Sequence, residues 1–76
     1  MKLEEMVRKA LIEYGACLES WKTKIVGIDG KASSDYRVIR TEITKARCRK
    51  PFMIWNIKVN IATGMIYWNE SSFDRV

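Results

Sequence analysis

Phe52-Met53-Ile54-Trp55-Asn56-Ile57-Lys58-Val59-Asn60-Ile61 is the stretch on which the fold turns. Met53, Trp55, Ile57, Val59 and Ile61 share one parity, and Asn56, Lys58 and Asn60 share the other. Side chains alternate across a strand, so this pattern predicts one face in a core and one in water. Pro51 precedes the run, where a missing N–H does least harm to a ladder. Ala62-Thr63-Gly64 follows as a tight turn, and Met65 to Asn69 returns as the partner strand. A two-residue loop at Thr63-Gly64 would set Val59 against Trp68 and Ile61 against Ile66. A loop that includes Ala62 would set Val59 against Tyr67 instead. The tail from Glu70 to Val76 is polar apart from Phe73.

One strand upstream, residues 36–48 admit two readings. As a helix, Tyr36, Ile39, Ile43 and Ala46 gather on one face, with Ser34 as cap. As a strand, Ile39, Thr41 and Ile43 share a face, and with Val38 and Thr44 they give a run rich in β-branched side chains. An isolated hairpin is marginal and wants a third strand, which decides for the strand. Further upstream, residues 22–28 with Ile25, Val26 and Ile28 read as a strand closed by the hairpin dipeptide Asp29-Gly30.

The first twenty residues form an amphipathic pattern. Leu3, Met6, Val7, Ala10, Leu11, Tyr14 and Leu18 recur at three- and four-residue steps. Glu4 with Arg8 and Glu5 with Lys9 are acid-first i,i+4 pairs. Gly15 interrupts the pattern, and Trp21 continues its stripe. The expectation is therefore a single α+β domain over residues 1–76. An N-terminal helix of about residues 2–20 packs on a three- or four-stranded antiparallel meander, with strands at about 22–28, 36–48, 52–61 and 65–69.

Composition narrows the function. The chain has 76 residues and no histidine, which excludes His-dependent triads and most catalytic zinc sites. Its carboxylates are scattered with no recognisable acid/base pair, and no Walker loop, dinucleotide fingerprint or nucleophile elbow is present. The expectation is a protein that is not an enzyme and carries no metal or cofactor. Cys17 and Cys48 form no Cys-x-x-Cys pair and read as free thiols of a reducing cytosol. No apolar run reaches the ~20 residues of a membrane span. Acids at Glu4 and Glu5 stand where a signal peptide would be basic and then apolar. A cytoplasmic protein without membrane contact is expected.

Charge is more informative. The net +5 belongs entirely to residues 31–50, where Lys31, Arg37, Arg40, Lys45, Arg47, Arg49 and Lys50 face only Asp35 and Glu42. The run from Lys45 to Lys50 holds four cations and no acid. Such a cluster attracts phosphates or acidic surfaces. Arg40, Lys45, Arg47, Arg49, Lys50 and Lys58 are therefore the candidate nucleic-acid contacts, acting by phosphate neutralisation. The alternative is a protein-interaction module, an adaptor or inhibitor of the kind phages and mobile elements carry, docking an acidic protein surface through its sheet face or edge. Phe52, Ile54, Tyr67 and Trp68 are its candidate interface residues. One helix covers only one sheet face, so these side chains also suggest a twofold homodimer.

Gly27-Ile28-Asp29-Gly30 superficially resembles the Gly-x-x-Gly loop with which KH domains clamp phosphates. Asp29 would repel the phosphates there, and Ser33 stands where that family buries an aliphatic side chain. The hairpin reading suits the same residues better. Val59 to Tyr67, closing through Thr63-Gly64, resembles the last hairpin of PepSY-type modules, which implies a helix-plus-meander fold and nothing about function.

Overall fold

The computed structural model describes residues 2–76. Helix α1 spans Leu3–Tyr14, and strands β1 (Lys22–Asp29), β2 (Tyr36–Thr44), β3 (Met53–Asn60) and β4 (Ile66–Arg75) follow. The strands pair in chain order as one antiparallel sheet, β1-β2-β3-β4. The protein is thus an α+β fold with one helix on a four-stranded meander. No helix among the described residues is long and apolar enough to cross a membrane.

Alternation sets the core. Ile39, Thr41 and Ile43 of β2 and Trp55, Ile57 and Val59 of β3 are buried on one face, where register places Ile39 against Ile57 and Thr41 against Trp55. The helix closes that face with Val7 and Leu11, both fully buried, and Cys17 follows just beyond it. Burying aliphatic side chains at ~1.5–3 kcal/mol each is what fixes this choice of face. For residues 36–48, then, the strand reading holds over Tyr36–Thr44. Thr41 Oγ1 and Trp55 Nε1, cross-strand neighbours in this core, have no hydrogen-bond partner among the described residues.

Several local boundaries differ from the sequence expectation. The helix stops at Tyr14 rather than near residue 20. Gly15 takes a left-handed conformation (φ 90°), Gly15 N–H donates to Ile12 O, and Ala16 N–H donates to Leu11 O. This is a Schellman cap, which glycine enters without the Cβ penalty other residues meet. Arg8 forms no salt bridge with Glu4. Its guanidinium donates instead to the carbonyls of Trp21 and Glu19, tying the helix to the segment that leads into β1. Charged-group hydrogen bonds to carbonyls are worth more than an exposed ion pair, which explains the preference.

The β1–β2 hairpin has a longer connection than the Asp-Gly dipeptide suggests. Asp29 pairs with Val38, and residues 30–35 make the turn. The Arg37 guanidinium closes it by donating to the carbonyls of Ser34 and Tyr36. No helix follows Gly30, so the Gly-x-x-Gly likeness ends at the sequence. The β3–β4 register matches neither alternative, because Val59 faces Ile66. Asn60 causes this. Its Oδ1 accepts from Ala62 N–H and Thr63 N–H, and its carbonyl accepts from Gly64 N–H at 2.7 Å. An Asx turn at that position widens the loop to residues 61–64.

Strand β4 also runs on to Arg75, across the polar tail. It carries a wide bulge: Asn56 faces Ser72 and Lys58 faces Tyr67, so one residue of β3 lies opposite four of β4. The Ser71 hydroxyl fills the gap, accepting from Lys58 N–H at 3.1 Å and donating to Tyr67 O at 2.8 Å. A side chain thereby restores the ladder that the bulge interrupts.

Candidate nucleic-acid interface

The β2–β3 connection begins where β-branched residues give out. After Thr44 come Lys45-Ala46-Arg47-Cys48-Arg49-Lys50, all exposed. Cys48 N–H donates to Lys45 O at 3.1 Å, closing a four-residue turn. Its third residue, Arg47, has φ 67° and is the one non-glycine residue at positive φ among those described. The left-handed region costs a side-chain-bearing residue about 1–2 kcal/mol, and glycine or asparagine is the usual occupant. A long cation is held there at the tip of the loop.

The fold brings two further cations to the same end of the sheet. Lys22 opens β1 opposite Thr44, and Arg75 closes β4 opposite Met53. Sequence position could not suggest either, because they lie more than twenty residues from the cluster on opposite sides. The strand register could have. Lys45, Arg47, Arg49, Lys50, Lys22 and Arg75 are all exposed, and none forms a salt bridge among the described residues. Asp74 is the nearest β4 acid, on the strand face opposite Ile54. Lys45 lies over two rings: its Nζ sits 4.8 Å from the centre of Phe52 and 6.0 Å from that of Trp21. The rings themselves meet edge to face at 5.1 Å.

Arg40 and Lys58 belong elsewhere. Both point from the sheet face that the helix leaves open, with Arg40 opposite Asn56 and Lys58 opposite Val38. Arg40 Nη1 donates to Asn56 Oδ1 at 3.4 Å, and Lys58 Nζ forms a 3.0 Å salt bridge with Glu70. The six candidate residues thus divide into an end cluster of four and an open-face pair. Along β2 the two are separated by about 15–20 Å at ~3.3 Å per residue.

The four candidate interface residues divide as well. Ile54 and Tyr67 lie on the open face, by register opposite Glu42 and Lys58. Phe52 and Trp68 are half-buried against the core, Phe52 beside Trp21 and Trp68 beneath Tyr14 at the helix end. The case for a covered second face, and for a dimer, therefore rests on Ile54 and Tyr67 together with Tyr36 and Val38. Cys17 is buried, its Sγ donating to Leu18 O at 3.3 Å, and burial pushes its thiol up from the ordinary 9.0 despite the opposing Arg8 charge. Cys48 is exposed within the basic loop. Among the described residues, no three Cys, Asp or Glu side chains come close enough to share a metal.

Comparison with models of protein families, with curated proteins and with solved structures found no match.

Proposed function

We propose that this protein is a non-enzymatic binding module that holds the phosphate backbone of nucleic acid against the basic end of its sheet. The observation that carries the reading is Arg47, a cation kept at a backbone position that favours glycine, at the centre of six exposed cations. Strain of this kind is retained where a side chain has work to do. Guanidinium groups suit the task because their planar fork matches two phosphate oxygens at once. Binding of this type is mainly electrostatic, weak in sequence preference and steep in salt dependence. The proposed site of action is the cytoplasm, where such a ligand and two free thiols are compatible.

The test is retention on immobilised single-stranded DNA. Arg47→Glu with Arg49→Glu reverses two exposed charges outside the core, so the circular dichroism spectrum should be unchanged while retention is lost. A folded double variant that is retained like the parent would refute the phosphate reading and leave the protein-interaction module as the better account.

A further inference from the structure

The sheet face that the helix leaves open admits only an occupant that its charges can accept. Its apolar part, Tyr36, Val38, Ile54 and Tyr67, meets water, with Tyr36 43% and Val38 37% exposed. Its ionised side chains are nearly balanced: Lys24, Arg40 and Lys58 against Asp29, Glu42, Glu70 and Asp74. Of these, only Lys58 and Glu70 are joined in a salt bridge. A strongly acidic or strongly basic partner would meet like charges here as often as opposite ones, which penalises association. A partner with the same mixed pattern would not.

The placement of charge across the sheet is more specific. Lys24 on the β1 edge and Asp74 on the β4 edge stand at one level, since Lys24 pairs with Glu42, Glu42 with Ile54 and Ile54 with Asp74. Asp29 and Tyr67 share a second level on the same two edges, joined through Val38 and Lys58. Lys24, Asp29 and Asp74 are exposed. A group on one edge with its complement at the same level of the other edge suits a twofold axis running along the strands. Such an axis lays β1 of one copy over β4 of the next, and β2 over β3.

We infer that a second copy of this chain covers the open face, related by a twofold axis parallel to the strands between β2 and β3. Lys24 of each copy meets Asp74 of its partner, Asp29 meets the Tyr67 phenol, and Arg40 meets Asn56. Val38 lies against the stem of Lys58, whose head stays with Glu70. Aligned sheets pack about 10 Å apart and cross at about 30°, a gap that these side chains bridge from both sides. An axis across the strands fits less well, because laying Lys24 over Asp29 would also lay Arg40 over Arg40. Four strands ~4.8 Å apart and about 27 Å long offer about 500 Å² per copy, near the low end of specific interfaces, so the pair forms at micromolar concentration. The same axis sends the two basic loops to one end of the pair, about 10 Å apart. A phosphate chain held by one loop then reaches the other through effective concentration. The pairing rests on the open face alone, and only this joint use of the loops rests on the phosphate reading.

The experiment is sedimentation equilibrium from about 1 to about 200 µM. It compares the parent with Val38→Lys, Lys24→Asp, Asp74→Lys and the double reversal Lys24→Asp/Asp74→Lys, each checked for folding by circular dichroism. All three positions are exposed, so the core is untouched. The parent should dimerise and Val38→Lys should not. Each single reversal should weaken association by about tenfold or more, and the double reversal should return it to within about threefold of the parent. A parent that stays monomeric throughout overturns the inference and leaves the face to a different protein. A double reversal as weak as the single ones overturns the axis, and a dimer that Val38→Lys leaves intact overturns the face. Retention on single-stranded DNA is read separately. A monomeric parent that is retained refutes the pairing and leaves the loop reading standing, whereas a dimer that is not retained does the reverse.

Discussion

Tyr14 and Trp68 lie ring on ring, their centres 4.0 Å apart and their planes 13° from parallel. Tyr14 is the last residue of the helix and Trp68 belongs to the edge strand β4, so this stack ties the helix end to the far side of the sheet. Trp68 also meets Trp55 edge to face at 6.0 Å. Offset and edge-to-face contacts of this kind add about 0.5–1.5 kcal/mol to the area they bury.

Trp68→Ala should therefore destabilise the fold by about 2 kcal/mol, below the 3–5 typical of fully buried rings because Trp68 is only half-buried. Urea unfolding followed by circular dichroism measures it. A loss under 0.5 kcal/mol would mean that the helix is held without the stack.

The thiol of Cys17 gives a pH signature. Its folded-state value is raised above the ordinary 9.0 by burial, so the folded state holds its proton longer than the unfolded state does. The stability it contributes is complete below about pH 9 and is lost as pH rises through the folded value. Unfolding free energy should fall from about pH 9 upward, and Cys17→Ala should flatten that first part of the alkaline decline. The Tyr36 phenol, raised above 10.0 first by hydrogen bonding to Tyr67 and then by that residue's charge, acts in the same direction at higher pH. A thermal unfolding series between pH 7 and 11 separates the two, because Cys17 acts from about pH 9 and Tyr36 only above about pH 10. An unchanged slope in the alanine variant would show that another group titrates there.

Much of this architecture was legible in the chain because burial on a strand enforces period two. Ile39, Thr41 and Ile43, and Trp55, Ile57 and Val59, are spaced for one face and occupy it. What could not be read were features set by single polar side chains acting on the backbone. Asn60 widens the last hairpin, and Ser71 bridges a bulge that carries β4 through a tail whose composition is polar. Neither alters the hydrophobic pattern. The same limit applied to the site. The charge run in the sequence marks Lys45, Arg47, Arg49 and Lys50, but it does not separate them from Arg40 and Lys58, which stand on the open face, nor does it join Lys22 and Arg75, which only strand register brings to that end.

Arg47 should show an opposition between stability and binding. Replacing it with glycine removes left-handed strain of about 1–2 kcal/mol and adds unfolded-state entropy of about 0.4–1 kcal/mol, for a net gain of about 0.5–1 kcal/mol. The same change removes a central cation, so single-stranded DNA affinity should fall as stability rises. Parallel denaturation and binding curves check both. A glycine variant that is more stable and binds equally well would mean that the strain serves no ligand.

The most direct measurement is the salt dependence of binding. Affinity for a 16-nucleotide oligothymidylate is measured by fluorescence anisotropy between 50 and 300 mM salt, and log K is plotted against log salt concentration. Each phosphate neutralised on a single strand contributes a slope of about −0.7. With four loop cations engaged and Lys22 and Arg75 in reach, the parent should give about −3 to −4, and Arg47→Glu/Arg49→Glu, which leaves at most a net two cations there, should bring the slope to about −1.5 or flatter. A parent slope indistinguishable from zero, or one that the double variant leaves intact, would contradict the assignment of the basic sheet end to phosphate binding.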